Sequence, residues 1–79
     1  MKPGIYRHSK TGNMYKAHFV AKHSETLEEL VVYEALYENI KSQYWVRPLS
    51  MFEELVELDG IKVPRFVFVS DFDSNSLTR

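Results

Sequence analysis

At 79 residues, with no cysteine and a formal net charge of −1 from ten basic and eleven acidic residues, the chain has room for one domain and one hydrophobic core. The missing cysteine excludes disulfide scaffolds, thiolate metal centres and thiol catalysis, and it fits a reducing compartment. The balanced charge argues against a protein that grips nucleic acid mainly through bulk positive charge. Hydrophobic residues make up 44% and aromatic residues 14% of the chain, which is core-forming rather than disordered composition.

The start of the chain, "MKPGIYRHSK", has no apolar stretch long enough for a signal peptide, and nowhere do eighteen apolar residues run together. The expectation is a soluble cytoplasmic protein with no membrane span and no cofactor. Lys2, Arg7, Lys10, Lys16 and Lys22 gather early, while acidic residues concentrate in 25–38, 53–59 and 71–73, the pattern of a two-faced molecule.

In chain order, "PGIYRHS", "KTGN" and "MYKAHFVAKH" predict a β-hairpin, because Gly12 and Asn13 tolerate a tight turn and the flanks are rich in aromatic and β-branched residues. In its second strand Tyr15, Ala17, Phe19 and Ala21 alternate with Lys16, His18 and Lys22, so the first set is expected inward and His18 outward. Residues 26–40 satisfy two patterns. Thr26 and Glu29 fit a capping box, with Leu30, Tyr33, Leu36, Tyr37 and Ile40 on one helical stripe. The Val-Val-Tyr centre and the alternation of Val31, Tyr33, Ala35 and Tyr37 favour a strand, which is the preferred reading.

"ENIKSQ" predicts a polar turn and "YWVRP" a short strand stopped by Pro48. "LSMFEEL" predicts one short helical turn near 49–55, with Pro48 suited to its first position. "VELDGIKVPRFVFV" reads as a last hairpin around Asp59-Gly60, with Pro64 marking an edge strand or bulge. The predicted fold is mainly β: a small antiparallel SH3-like barrel of five or six strands over 1–69, followed by a flexible C-terminal tail over 70–79. The alternative is an α+β roll with a helix at 26–40. Exposed strand edges also permit a homodimer.

The blocks "MKPGIYRH", "GNMY", "AKHSETLEELVVYEALY", "YWVRPLSMF" and "GIKVPRF" resemble, in order and over about residues 1–69, a family of small bacterial proteins catalogued as a domain of unknown function. "SKTGN" carries one residue more than that family's "KGN" turn, and "ENIKSQ" is longer than its usual connection; both fall where loops tolerate insertion. The resemblance implies no assigned activity. Members look like appendages to larger nucleotide-processing proteins, which points toward nucleotide or nucleic-acid ligands.

Several groups of side chains invite a chemical role. His8, His18 and His23 could be a metal set, but no H-E-x-x-H type of spacing joins them to further ligands, and no metal is expected. Ser24 lies between His23 and Glu25, yet adjacent side chains seldom reach the geometry of an activated nucleophile, and there is no G-x-S-x-G elbow. Glu28, Glu29 and Glu34 read as a solvated face. Trp45 and Arg47 are two apart on one short strand and share a face, with Tyr44 and Val46 on the other; Tyr6 and His8 likewise share a face. An aromatic plane beside a guanidinium can stack a base or hold an anion. The bland account makes Trp45 core and pairs Arg47 with a glutamate.

If the first hairpin and the 44–48 strand adjoin, Tyr6, His8, His23, Glu25, Trp45 and Arg47 form a polar-aromatic ligand pocket. The leading reading is therefore a non-enzymatic binding module for a protein, peptide or nucleotide. A nucleotide- or single-stranded nucleic-acid-binding domain, using these aromatics with Arg47, Lys16 and Lys22, is the first alternative. A small acid-base enzyme using His8, His23 and Glu25 is the second.

Overall fold

The computed structural model describes residues 1–39 and 41–71. In chain order the elements are β1 (Gly4–His8), β2 (Met14–Lys22), β3 (Glu29–Ala35), β4 (Tyr44–Pro48), α1 (Leu49–Phe52), β5 (Leu55–Leu58), β6 (Ile61–Pro64) and β7 (Phe66–Ser70). Five strands form one antiparallel sheet in the order β4-β3-β2-β1-β7, and β5 pairs with β6 in a separate hairpin. The fold is mainly β, and the 26–40 segment supplies strand β3 rather than a helix. Among the described residues there are seven strands instead of five or six, and the five-stranded sheet is open, with β4 and β7 as its edges. The chain between α1 and β7 is spent on the β5–β6 hairpin, and among the described residues no strand joins the two edges into a barrel. From residue 72 onward, the tail expected over 70–79 lies outside the described residues.

Local chemistry places most of the turns. Asp59 and Gly60 both take left-handed φ values, 54° and 79°, between the paired Leu58 and Ile61, as a two-residue hairpin loop with two positive φ angles requires. His23 organises the β2–β3 turn: its N–H donates to the Glu28 carbonyl, its own carbonyl accepts from Leu27 N–H, and its Nδ1 accepts from the N–H groups of Glu25 and Thr26. Pro48 ends β4 and caps α1 from just outside, one position earlier than the sequence suggests. At Gly4, φ is +155° and an added Cβ would lie 2.5 Å from the Ser70 carbonyl oxygen and 2.7 Å from the Phe68 ring. Only glycine lets β1 and β7 approach that closely.

The core lies on one face of the sheet, where Tyr6, Ala17, Val31, Tyr33 and Phe66 meet Phe52 from α1. Phe52 and Phe66 stack with centroids 4.3 Å apart and planes 6° from parallel, and Tyr6 and Tyr33 meet Phe52 edge-on at 5.2 and 5.7 Å. Short strands thus fill the space under a small sheet with rings, each of which buries a large area.

Strand β2 departs from its alternation. Tyr15 and Ala17 face inward as expected, but the register passes from Ala17↔Tyr33 directly to Phe19↔Val32, leaving His18 as the extra residue of a β-bulge. Beyond it the phase is reversed. Val20 takes the inward position opposite Val31, while Phe19 and Ala21 turn outward, and Phe19 is 55% exposed. His18 faces outward as expected and its Nε2 meets Glu34 Oε1 at 2.9 Å.

Candidate functional site

The inward positions of β4 carry Trp45 opposite Tyr33 and Arg47 opposite Val31. Trp45 packs against the core. Arg47 reaches over it: its Nε donates to the Tyr33 hydroxyl at 3.3 Å, and its guanidinium carbon lies 5.7 Å from the centroid of the Phe66 ring. Among the described residues no carboxylate pairs with Arg47. The expected glutamate partner is therefore replaced by a phenol and a ring face, because the strand register puts Val31, not an acid, beside it. His8 stands edge-on to the same Phe66 ring at 5.0 Å. Phe66 itself pairs with His8 across β1 and β7, so the two sequence-predicted residues His8 and Arg47 meet over one side chain.

This rim is electropositive. Burial first, and then the charges of Arg47, Arg65 and Lys10, hold His8 below its ordinary range. The Lys10 N–H donates to His8 Nδ1 at 3.2 Å, which leaves the proton of the neutral ring on Nε2. Arg65 donates to Glu54 Oε1 at 2.9 Å, while its buried Nε has no partner among the described residues. Tyr15 lies edge-on to Phe66 at 5.6 Å and shares a 2.9 Å hydrogen bond with the Tyr37 hydroxyl. Burial, and next that hydrogen bond, push the Tyr15 phenol up to about 12. A guanidinium, an imidazole N–H and neutral phenols form a set of donors suited to an anion.

The other predicted residues lie elsewhere. Tyr6 is core, and its hydroxyl donates to the Lys2 carbonyl at 2.5 Å; burial raises its pKa. His23 and Glu25 occupy the turn beyond Lys22, at the opposite end of β2 from Met14, which neighbours the His8 end of β1. The acid-base set of His8, His23 and Glu25 is thus not assembled, and the His23 Nδ1 lone pair is committed to the turn. Sequence reasoning missed Tyr15, Tyr33, Tyr37, Arg65 and Phe66 as rim residues. The inward alternation of the tyrosines was a usable signal, whereas nothing local announced that Phe66 would sit beneath Arg47.

A cleft of about 300 Å³ opens beside Phe66, lined by Met1, Lys2, Tyr6, Phe52, Glu53, Pro64, Phe66 and Phe68. Its charges are engaged: the Met1 amine meets Glu53 at 3.2 Å, and the Lys2 ammonium pairs with Asp71 at 3.4 Å and lies 4.7 Å from the Phe68 centroid. Among the described residues no three of His, Asp or Glu gather as a metal set, and no helix is long and apolar enough to cross a membrane.

An open five-stranded sheet, an aromatic core and one projecting hairpin define a small mainly β domain. The chain belongs to the family described as "Protein of unknown function (DUF1653)", whose pattern matches residues 4–68. It is similar to the crystal structure of a DUF1653 protein from Bordetella bronchiseptica, with 37% identity over 90% of each chain and a TM-score of 0.84. No match is found among curated proteins.

Proposed function

We propose that the protein is a non-enzymatic cytoplasmic binding module whose inner rim, centred on Arg47, holds an anionic group of its ligand. The observation that carries this reading is the half-buried Arg47 guanidinium, seated on Phe66 and Tyr33 without a carboxylate among the described residues. A partly desolvated cation with no counter-charge is costly, and an anion that replaces lost hydration is its natural partner. Arg65 and Lys10 add to the positive field, the neutral His8 ring offers its Nε2–H, and the Tyr33 hydroxyl fixes the guanidinium plane. The absence of cysteine supports the reducing compartment. A nucleotide phosphate and the carboxylates of an acidic peptide share the required chemistry.

Titration with inorganic phosphate, a nucleoside diphosphate and an acidic peptide, followed through the Arg47 Nε–H and His8 resonances, tests the reading. Saturable shifts at both residues that disappear in Arg47→Gln are expected. Shifts that persist in that variant, or their absence with all three probes, overturn it.

A further inference from the structure

A second guanidinium accompanies the Arg47 rim. Arg65 stands at the corner between β6 and β7, next to Phe66, and its backbone is held on both sides: its N–H donates to the Glu54 carbonyl at 2.8 Å, and its carbonyl accepts from the Ser9 N–H at 2.9 Å. The Ser9 hydroxyl also donates to the Pro64 carbonyl. The turn that follows His8 is thereby fastened to the corner that carries Arg65.

The Arg65 side chain is only 22% exposed, and its nitrogens are unequally used. Nη2 donates to Glu54 Oε1 at 2.9 Å, whereas Nε is the one buried side-chain nitrogen or oxygen among the described residues that has no hydrogen-bond partner. A charged donor withdrawn from water and left unpaired is costly, and the cost is relieved when an acceptor arrives. Arg47 is in a related position, with its Nε on the Tyr33 hydroxyl and its charge unmatched by a carboxylate among the described residues.

Arg47 and Arg65, with Lys10 third, are the cations that bear on the His8 ring. Among the described residues Glu54 is the one carboxylate in an ion pair with any of the three, so the cluster holds a surplus of two positive charges. A carboxylate or a phosphodiester cancels one of them. A phosphate monoester carries about −1.5 to −2 at pH 7 and presents three acceptor oxygens, the planar charge-assisted recognition that guanidinium groups favour.

We propose that the Arg47 rim, with Arg65 as its second guanidinium, selects the dianionic phosphate of a monoester over singly charged anions. This rests on the reading of Arg47 as an anion site and adds the charge and class of the group bound. Arg47 and the His8 Nε2–H donate to two of the phosphate oxygens, and the Arg65 Nε–H donates to the third.

Methyl phosphate and dimethyl phosphate, which differ by one charge and one methyl group, test it in calorimetric titrations of the full chain at pH 8. Methyl phosphate is expected to bind at least about tenfold more tightly, and Arg65→Gln to erase that preference. Glu54→Gln, which removes the competing acid and keeps every cation, is expected to tighten methyl phosphate about threefold, a gain that misfolding cannot imitate. Uridine 5′-monophosphate and a phosphoserine tripeptide carry the same dianion; at least one is expected to match methyl phosphate, which tells a nucleotide source from a peptide one. Equal affinities for the two methyl esters, both lost in Arg47→Gln, overturn the dianion and leave the anion site standing, whereas no binding of either overturns both. A preference that survives Arg65→Gln, or that Glu54→Gln does not strengthen, also overturns the proposal.

Discussion

Tyr33 and Tyr44 sit on neighbouring strands, yet one is 5% exposed and the other 56%. Glu34 lies opposite Tyr44 and Trp45 opposite Tyr33, so the pleat sends the two phenols to opposite faces of one sheet. On the inner face Phe52, Phe66, Tyr6 and Tyr33 consume one another's surfaces, and function there is left to the polar tips and to Arg47. On the outer face Phe19 and Tyr44 keep more than half of their surface exposed and flank the His18 ring at 6.3 and 6.2 Å. The same residue types therefore form core on one side and stay exposed on the other. What separates them is register, and in β2 the register depends on the single extra residue His18.

The comparison breaks most visibly through paired truncations. Phe66→Ala removes the ring that Phe52, Tyr15, Tyr33, His8 and Arg47 all touch, and it should cost about 3–5 kcal/mol, as large-to-small changes at buried aromatics do. Phe19→Ala should stay within about 0.5 kcal/mol, as surface changes do. Urea unfolding of both variants measures the difference; equal losses would mean that the outer ring is structural. Next in size is Gly4→Ala. Its positive φ and the close Ser70 carbonyl predict a loss of about 2–3 kcal/mol. The same denaturation measurement checks it, and an unchanged midpoint would show that β1 and β7 can separate without cost.

Much of this contrast was legible in the sequence. The Asp59-Gly60 turn, the helical turn after Pro48 and the shared face of Trp45 and Arg47 follow from local chemistry, since φ preferences and a period of two need no tertiary information. The Val-Val-Tyr centre of β3 likewise outweighed the helical stripe around it. Two things were not legible. A bulge leaves the composition of β2 intact and changes only its phase, so Phe19 still reads as an inward residue until the partner strand fixes the count. The company of Arg47 depends on β7, whose pairing with β1 is set by contacts some sixty residues apart in the chain. Sequence placed His8 and Arg47 in one site together with His23 and Glu25, on the assumption that the whole first hairpin adjoins the 44–48 strand. The length of β2 carries them to its other end.

The smallest effect sharpens the inner face. Burial and the cations Arg47, Arg65 and Lys10 lower His8 from its ordinary value of 6.5, so the folded protein takes up this proton less readily than the unfolded chain. The stability linked to His8 is fully present above pH 6.5. It is lost as pH falls through the folded pKa, because in that window the unfolded chain holds more protons. An anion seated on Arg47 offsets the cations and must raise His8 again. By reciprocity, an anion whose own charge is constant in this range binds more tightly on the acid side of the window. Sulfate is such a probe, and the His8 ring proton shift followed from pH 8 to pH 5, with and without it, reads both sides of the linkage. An upward displacement of the titration in sulfate, absent in Arg47→Gln, ties His8 and Arg47 into one site. An unmoved titration would leave His8 responding only to its burial against Phe66 and would detach it from the anion-binding rim.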